Sequence, residues 1–173
     1  GQQTGCRTYC ISFHTVYGFE VVALRYFNVF GSRQDPGSEY AAVIPRFITA
    51  LMRGEPPTIY GDGDQTRDFT FVGNIVKANL HALEHPNAPG KIFNIAMGAV
   101  NSLNQIVKTL QELTGVDVAP QYTEPRPGDI RHSLADVSKA AELLQFEPQI
   151  SVVEGLNVTI DWYRAQGGAA GTK

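Results

Sequence analysis

Apolar residues recur along the chain with periods that separate helices from strands. Tyr9, Cys10, Phe13 and Tyr17 are spaced for a short helix over 7–17, stopped by Gly18. Residues 21–30 (VVALRYFNVF) are β-branched and aromatic with almost no polar relief, the composition of a strand covered on both faces as in a parallel sheet. A turn-rich loop at 31–39 leads to a helix that starts near Tyr40, ends before Gly54 and carries Val43, Ile44, Phe47, Ile48 and Leu51 on its apolar face. Pro45 falls in the first turn of this helix, where a missing N–H costs little. Thr58-Ile59-Tyr60 predicts a short strand, residues 61–64 (GDGD) a tight turn, and Thr66–Phe71 a second short strand.

The next helix spans 73–85, with Ile75, Val76, Leu80 and Leu83 predicted on its inner side. Residues 92–96 (IFNIA) form a second candidate buried strand. Ser102 and Gln105 match a capping box ahead of an amphipathic helix holding Leu103, Ile106, Val107, Leu110 and Leu113, ended by Gly115. Residues 120–132 are rich in proline and charge and are predicted to run over the surface. Asp136 can cap a helix with Val137, Ala140, Ala141 and Leu144, and Ser151 with Glu154 repeats the capping box before a last helix to about Tyr163. Residues 167–173 are expected to fray. Helices that alternate with strand-like pieces make an α/β chain. Two strong strands are few for a sheet, so more strand is expected from short segments or from another copy of the chain.

With 173 residues, 43% of them apolar, the chain can bury a core of its own or form one piece of a larger domain. Its formal net charge of −3 and the lack of basic runs give no electrostatic footprint for nucleic acid. No apolar run is long enough to span a membrane and no signal segment is visible, so a cytoplasmic location is expected. Gly1-Gln2-Gln3 looks like a cut end. Cys6 and Cys10 are too few for a disulfide framework and read as thiols on one helical face, with a redox or metal pair as the rarer alternative. The GDGD turn lacks the spaced acids and closing Glu of a calcium loop. No serine elbow, HExxH, CxxC, P-loop or dinucleotide-type glycine loop is present, and no metal site is expected.

Arginines stand beside turns and strand ends: Arg25 within the apolar run, Arg67 after the tight turn, and Arg126 before Pro127-Gly128-Asp129. A guanidinium presents a rigid fork of donors suited to phosphate, and a carboxylate such as Asp129 can accept a pair of ribose hydroxyls. Asn28 sits at a strand end, where α/β sheets bind ligands. Tyr60 could be core or a stacking surface for a base. Spacing alone leaves local pairing open as well, of Arg67 with Asp64 or Asp68 and of Arg126 with Glu124 or Asp129, and favours it.

The segments LRYFNVFGSRQDP (24–36), AAVIPRFITALMRGEPPTIYGDGDQTRDFTFVGNIVKANLHAL (41–83), FNIA (93–96) and RPGDIRHSLADVSKA (126–140) resemble the extended short-chain dehydrogenase/reductase family, in particular the UDP-glucose and UDP-N-acetylglucosamine 4-epimerases. The resemblance covers about residues 7–163. It implies that Asn28, Arg67 and Arg126 contact the diphosphate of a nucleotide sugar and that Asp129 holds the ribose. It further places Ala42, Val43 and Tyr60 beside the uracil, and Tyr26 and Phe27 near the nicotinamide of NAD. The fold it implies is the C-terminal part of a Rossmann-type NAD(P)-binding sheet, with remnants at 7–30 and 92–96, plus a small α/β substrate-binding domain over 40–85 and 100–165, in one truncated unit over 1–173.

The family's N-terminal glycine-rich half and its Tyr-x-x-x-Lys pair have no counterpart here, and Gln3 falls where the lysine would stand. The expectation is therefore a UDP- or UDP-sugar-binding unit that is inactive alone, has no catalytic residues and needs no cofactor, although the family uses NAD. Its exposed core faces are expected to drive homo-oligomerisation. The alternatives are a ligand-free, self-associating structural module, or half of an enzyme completed by a separate chain that carries the NAD-binding half.

Overall fold

A computed structural model describes the backbone of residues 2–37 and 43–169, with side chains over 8–37 and 43–166. Helix α1 (Gln2–Tyr17) leads into β1 (Ala23–Tyr26) and β2 (Val29–Phe30), followed by α2 (Val43–Met52) and β3 (Thr58–Tyr60). Then come β4 (Thr66–Arg67), β5 (Thr70–Phe71), α3 (Val72–Glu84), β6 (Ile92–Ile95) and β7 (Asn101–Ser102). Helix α4 (Leu103–Thr114), β8 (Gln121–Thr123), α5 (Ser138–Leu144) and α6 (Val152–Ala169) complete the order.

Strands β1 and β6 pair in parallel, from Ala23 opposite Ile92 to Tyr26 opposite Ile95. The pairs β2–β5 and β3–β8 are also parallel, and β4–β7 is antiparallel. Two apolar clusters fill the interior. One gathers Phe30, Phe47, Leu51, Ile59, Leu110 and Ile160, with α2, α4 and α6 meeting around it. The other gathers Ile75, Ala78, Ala82, Phe93, Ile95 and Leu144, and it seats α3 and α5 on the β1–β6 pair. Helices laid on parallel strands are the Rossmann-type arrangement, and the alternation of helix and strand runs through the whole described chain. The chain thus folds as a Rossmann-type alternation of its own, which overturns the expected sheet remnant defined by a missing half.

Several elements differ from the pattern-based expectation. The run 21–30 is two strands, because Asn28 adopts φ 35° and turns the chain between β1 and β2. Nor is β1 covered on both faces: Arg25 and Tyr26 are exposed. Asp68 and Phe69 likewise divide 66–71 into β4 and β5. Helix α3 buries Asn74, Ile75, Ala78 and Ala82, leaving Val76, Leu80 and Leu83 exposed. Both sets satisfy the helical period, and the small residues allow the closer approach to the second cluster. Residues 121–123 of the supposed surface segment form β8, because their backbone completes β3. Helix α5 starts at Ser138 rather than at an Asp136 cap, and the Asp136 carboxylate accepts from the Ser138 N–H at 3.0 Å one residue outside the helix. The start expected near Tyr40 lies outside the described residues, and α2 is described from Val43.

Both capping boxes form. The Ser102 hydroxyl accepts from the Gln105 N–H at 3.1 Å, while the Gln105 side chain accepts from the Ser102 N–H at 2.8 Å. Glu154 N–H donates to the Ser151 hydroxyl at 3.2 Å, and the Glu154 carboxylate accepts from the Ser151 N–H at 2.8 Å. Each pair satisfies two N–H groups that have no partner within the helix.

Candidate functional site

A cleft of about 370 Å³ opens among the first turns of α2, the end of β3, β4 and the segment 126–129. Asn28, Val43, Tyr60, Arg67, Arg126 and Asp129 all line it. Six of the seven predicted substrate contacts therefore converge, and the seventh, Ala42, lies outside the described residues.

Arg67 forms an ion pair with Asp129, and its Nη1 also donates to the Thr66 carbonyl at 2.8 Å. The Arg67 side chain is 15% exposed and that of Asp129 41%. The local alternative for Arg67 does not hold: the Asp68 carboxylate turns away to backbone amides, and that of Asp64 accepts from Asn104. Arg126 pairs with neither Glu124 nor Asp129. Its guanidinium stacks 3.9 Å from the centroid of the Tyr60 ring, a cation–π contact. Hydrogen bonding and charge from Arg126, with a smaller push from the Arg46 charge, lower the Tyr60 phenol below its usual value. Arg25 stands apart from the cleft, its guanidinium 5.8 Å from the Phe27 ring centroid.

The segment carrying Arg126 and Asp129 is tied across β4. Thr66 N–H donates to the Arg131 carbonyl at 2.9 Å, and Ser133 N–H returns to the Thr66 carbonyl at 3.1 Å. Arg131 pairs with Asp62 at 2.8 Å. A backbone bond from the Asp64 N–H, then Arg131, hold the Asp62 carboxyl below the usual range. The GDGD turn thus anchors the strap by its side chains, while Gly61 and Gly63 supply the left-handed backbone, at φ 85° and 79°.

Asp68 is the hidden centre of the site. It is fully buried and carries no counter-charge: its Oδ1 accepts from Met97 N–H at 2.9 Å, and its Oδ2 from Gly98 N–H at 3.0 Å and Ala135 N–H at 3.4 Å. Burial pushes its pKa up, against the pull of these three backbone bonds. Its own carbonyl accepts from the Asn28 side chain at 3.2 Å, which fixes the rotamer of a cleft residue. The sequence offers Asp68 only as a local partner for Arg67, and it assigns no site role to Arg46 or Gln65. The Gln65 side chain donates to the Tyr60 carbonyl at 2.6 Å and braces the end of β3.

Tyr26 ends β1 and Phe27 follows it, both outside this cleft. The Tyr26 hydroxyl donates to Asn79 at 2.9 Å, and Phe27 is half-buried, so the pair presents a partly open aromatic surface. Among the described residues no cluster of His, Cys, Asp and Glu could hold a metal ion, and no helix is long and apolar enough to cross a membrane. Cys10 is a free, half-buried thiol, and the side chain of Cys6 lies outside the described residues.

The model of the NAD dependent epimerase/dehydratase family matches residues 6–96. The chain belongs to this family. A UDP-N-acetyl-alpha-D-glucosaminuronate decarboxylase of Bacillus cytotoxicus is 36% identical over 163 residues, 91% of this chain and 50% of that protein. The UDP-N-acetylglucosamine 4-epimerase from Methanobrevibacter ruminantium, solved with UDP-N-acetylmuramic acid, is 44% identical with a TM-score of 0.90, over 95% of this chain and 53% of that one. The UDP-glucuronic acid 4-epimerase from Bacillus cereus, solved with UDP-glucuronic acid and NAD, is 33% identical with a TM-score of 0.80, over 91% and 49%. The chain spans about half the length of the relatives it matches.

These matches correct the expectation of an inactive, cofactor-free C-terminal fragment that lacks the NAD-binding half. The family match runs through both β1 and β6, and 91% of the chain aligns with an enzyme solved with NAD bound. The expectation of inactivity, cofactor independence and truncation rested on the missing glycine-rich loop and Tyr-x-x-x-Lys pair, and the alignment of most of the chain with a 4-epimerase solved with NAD argues against it. Completion by a separate chain carrying an NAD-binding half finds no support in the matches.

Proposed function

We propose that the cleft holds a UDP-sugar for the NAD-dependent chemistry of the epimerase/dehydratase family, with 4-epimerisation as the favoured reaction. The observation that carries this reading is the placing of the Arg67–Asp129 pair and the Arg126–Tyr60 stack in one cleft. Tyr60 offers a ring face for the base, Arg67 and Arg126 donate to the diphosphate, and Asp129 accepts from the ribose hydroxyls. Asn28, held by the Asp68 carbonyl, sits at the turn after β1 and can contact the diphosphate on its sugar side. Tyr26 and Phe27 would meet the nicotinamide end of NAD, which when bound supplies hydride transfer. The 4-epimerase reading leans on the 44% identity with the M. ruminantium epimerase.

Self-association belongs to the same proposal. Tyr9, Phe13, Val16, Tyr17 and Phe19 are exposed on and just after α1, an apolar patch suited to a second copy.

Calorimetric titration with UDP, UDP-glucose and UDP-N-acetylglucosamine tests the site. Saturable binding is expected, weakened at least tenfold by Arg67→Ala and by Arg126→Ala, the loss of one charge-assisted contact each (roughly 1.5–3 kcal/mol). No heat at millimolar nucleotide would refute it.

A further inference from the structure

Three arginines line the cleft, and two are engaged there: Arg67 on Asp129 and Thr66, Arg126 on the Tyr60 ring. The third, Arg46, has neither an ion pair nor a hydrogen bond among the described residues, although it is half-buried. It extends from the first turn of α2, a helix locked in place by buried Ile44, Pro45, Phe47, Ile48 and Leu51. Its five N–H donors therefore enter the cleft from a fixed backbone position and have no acceptor among the described residues. Around it the wall is formed by Val43, Phe47, Thr58 and Tyr60, a largely apolar surface that suits a flat ring better than a diphosphate. Arg67 and Arg126 belong instead to β4 and the strap that carries Asp129.

We propose that Arg46 selects the base of the bound nucleotide, donating to a ring carbonyl oxygen where an amino-bearing base would present a donor. The inference rests on the nucleotide-sugar reading of this cleft. Uracil and cytosine share a ring and differ along one edge: uracil carries the O4 carbonyl and an N3–H donor, cytosine an amino group and an N3 acceptor. A guanidinium rewards the carbonyl and leaves the amino group facing another donor. The charge on Arg46 already reaches the hydroxyl of Tyr60, the ring that would carry the base.

The test compares UDP and CDP binding by calorimetry in the wild type, Arg46→Met and Arg46→Gln, with folding checked by circular dichroism. The wild type is expected to prefer UDP roughly tenfold, the worth of one hydrogen bond to a charged group. Arg46→Met should bring that ratio close to one through weaker UDP binding while CDP affinity does not fall, and Arg46→Gln, which keeps a donor, should retain part of the preference. Equal loss of both nucleotides would make Arg46 a phosphate contact and overturn the proposal. An unchanged ratio would overturn it as well. Wild-type protein that binds neither nucleotide would overturn it together with the reading of the cleft, whereas binding with an unchanged ratio leaves that reading standing.

Discussion

Replacing Asp68 separates the structural demands of the site from its ligand contacts. In Asp68→Asn the amide oxygen can take the place of Oδ2 and keep the bonds from Gly98 and Ala135, but the NH2 then faces the Met97 N–H, donor against donor. One buried backbone donor is lost, a cost of roughly 1–3 kcal/mol. For a chain of this size each kcal/mol moves Tm by about 2–4 °C, so a fall of roughly 2–12 °C is expected. Asp68→Ala strips all three donors of their acceptor and should cost about 4 kcal/mol, since such losses are not additive. Both variants are to be measured by urea unfolding with m compared to the wild type, and by thermal melting. Because the Asp68 carbonyl orients Asn28, UDP affinity should fall with stability even though the Asp68 side chain does not line the cleft. An Asp68→Ala protein within about 0.5 kcal/mol of wild type, or an Asn variant as unstable as the Ala variant, would refute the account of three backbone donors sharing one carboxylate.

Glu154 has its pKa lowered by the Ser151 hydroxyl and then by the Ser151 N–H, so its contribution is fully present above its unfolded value and is lost as pH falls through the depressed folded one. Glu154→Gln keeps the capping geometry without a titrating group, and its melting temperature should lose this part of the acid dependence; a variant with the wild-type profile would contradict the assignment. Gly63 combines φ 79° with an added Cβ only 2.1 Å from the Asn104 side chain, so Gly63→Ala must strain the turn and displace Asn104 from Asp64. It is expected to cost about 2 kcal/mol, and a unfolding midpoint equal to wild type would show that the turn is not held this way.

How far the sequence reveals this structure depends on the range of each interaction. The two capping boxes, the apolar face of α4 and its Gly115 stop are decided within a few residues and are legible in the chain. The division of 21–30 is not, because the positive φ of Asn28 belongs with a bond to Asp68, which lies on another segment. Helix α3 offers two faces of equal period, and only the β1–β6 pair beneath it selects the alanines. Residues 121–123 look like loop until β3 provides a partner. Within the site, Arg67, Arg126 and Asp129 were legible through their motifs, but the partner of each was not: nearest-neighbour pairing loses to contacts with Asp129 and Tyr60 that the strap creates. Asp68 and Arg46 leave no trace in the local pattern. One is defined by amides far along the chain, the other by the absence of an acceptor among the described residues near a helix start.

Arg46 apart, the charged groups of the cleft are already engaged with its own side chains. Arg67 rests on Asp129 and Arg126 on Tyr60, so each of these four groups is spent on another. Occupancy is then an exchange of partners, and its free energy is a difference. A phosphate that draws Arg67 away leaves Asp129 uncompensated unless ribose hydroxyls come with it, and a base that claims the Tyr60 face displaces a guanidinium that only the diphosphate can receive. Fragments such as uridine or pyrophosphate each leave half of an exchange undone. The intact nucleotide should therefore bind more tightly than its pieces would add up to, and the cleft discriminates against the parts as well as among the wholes.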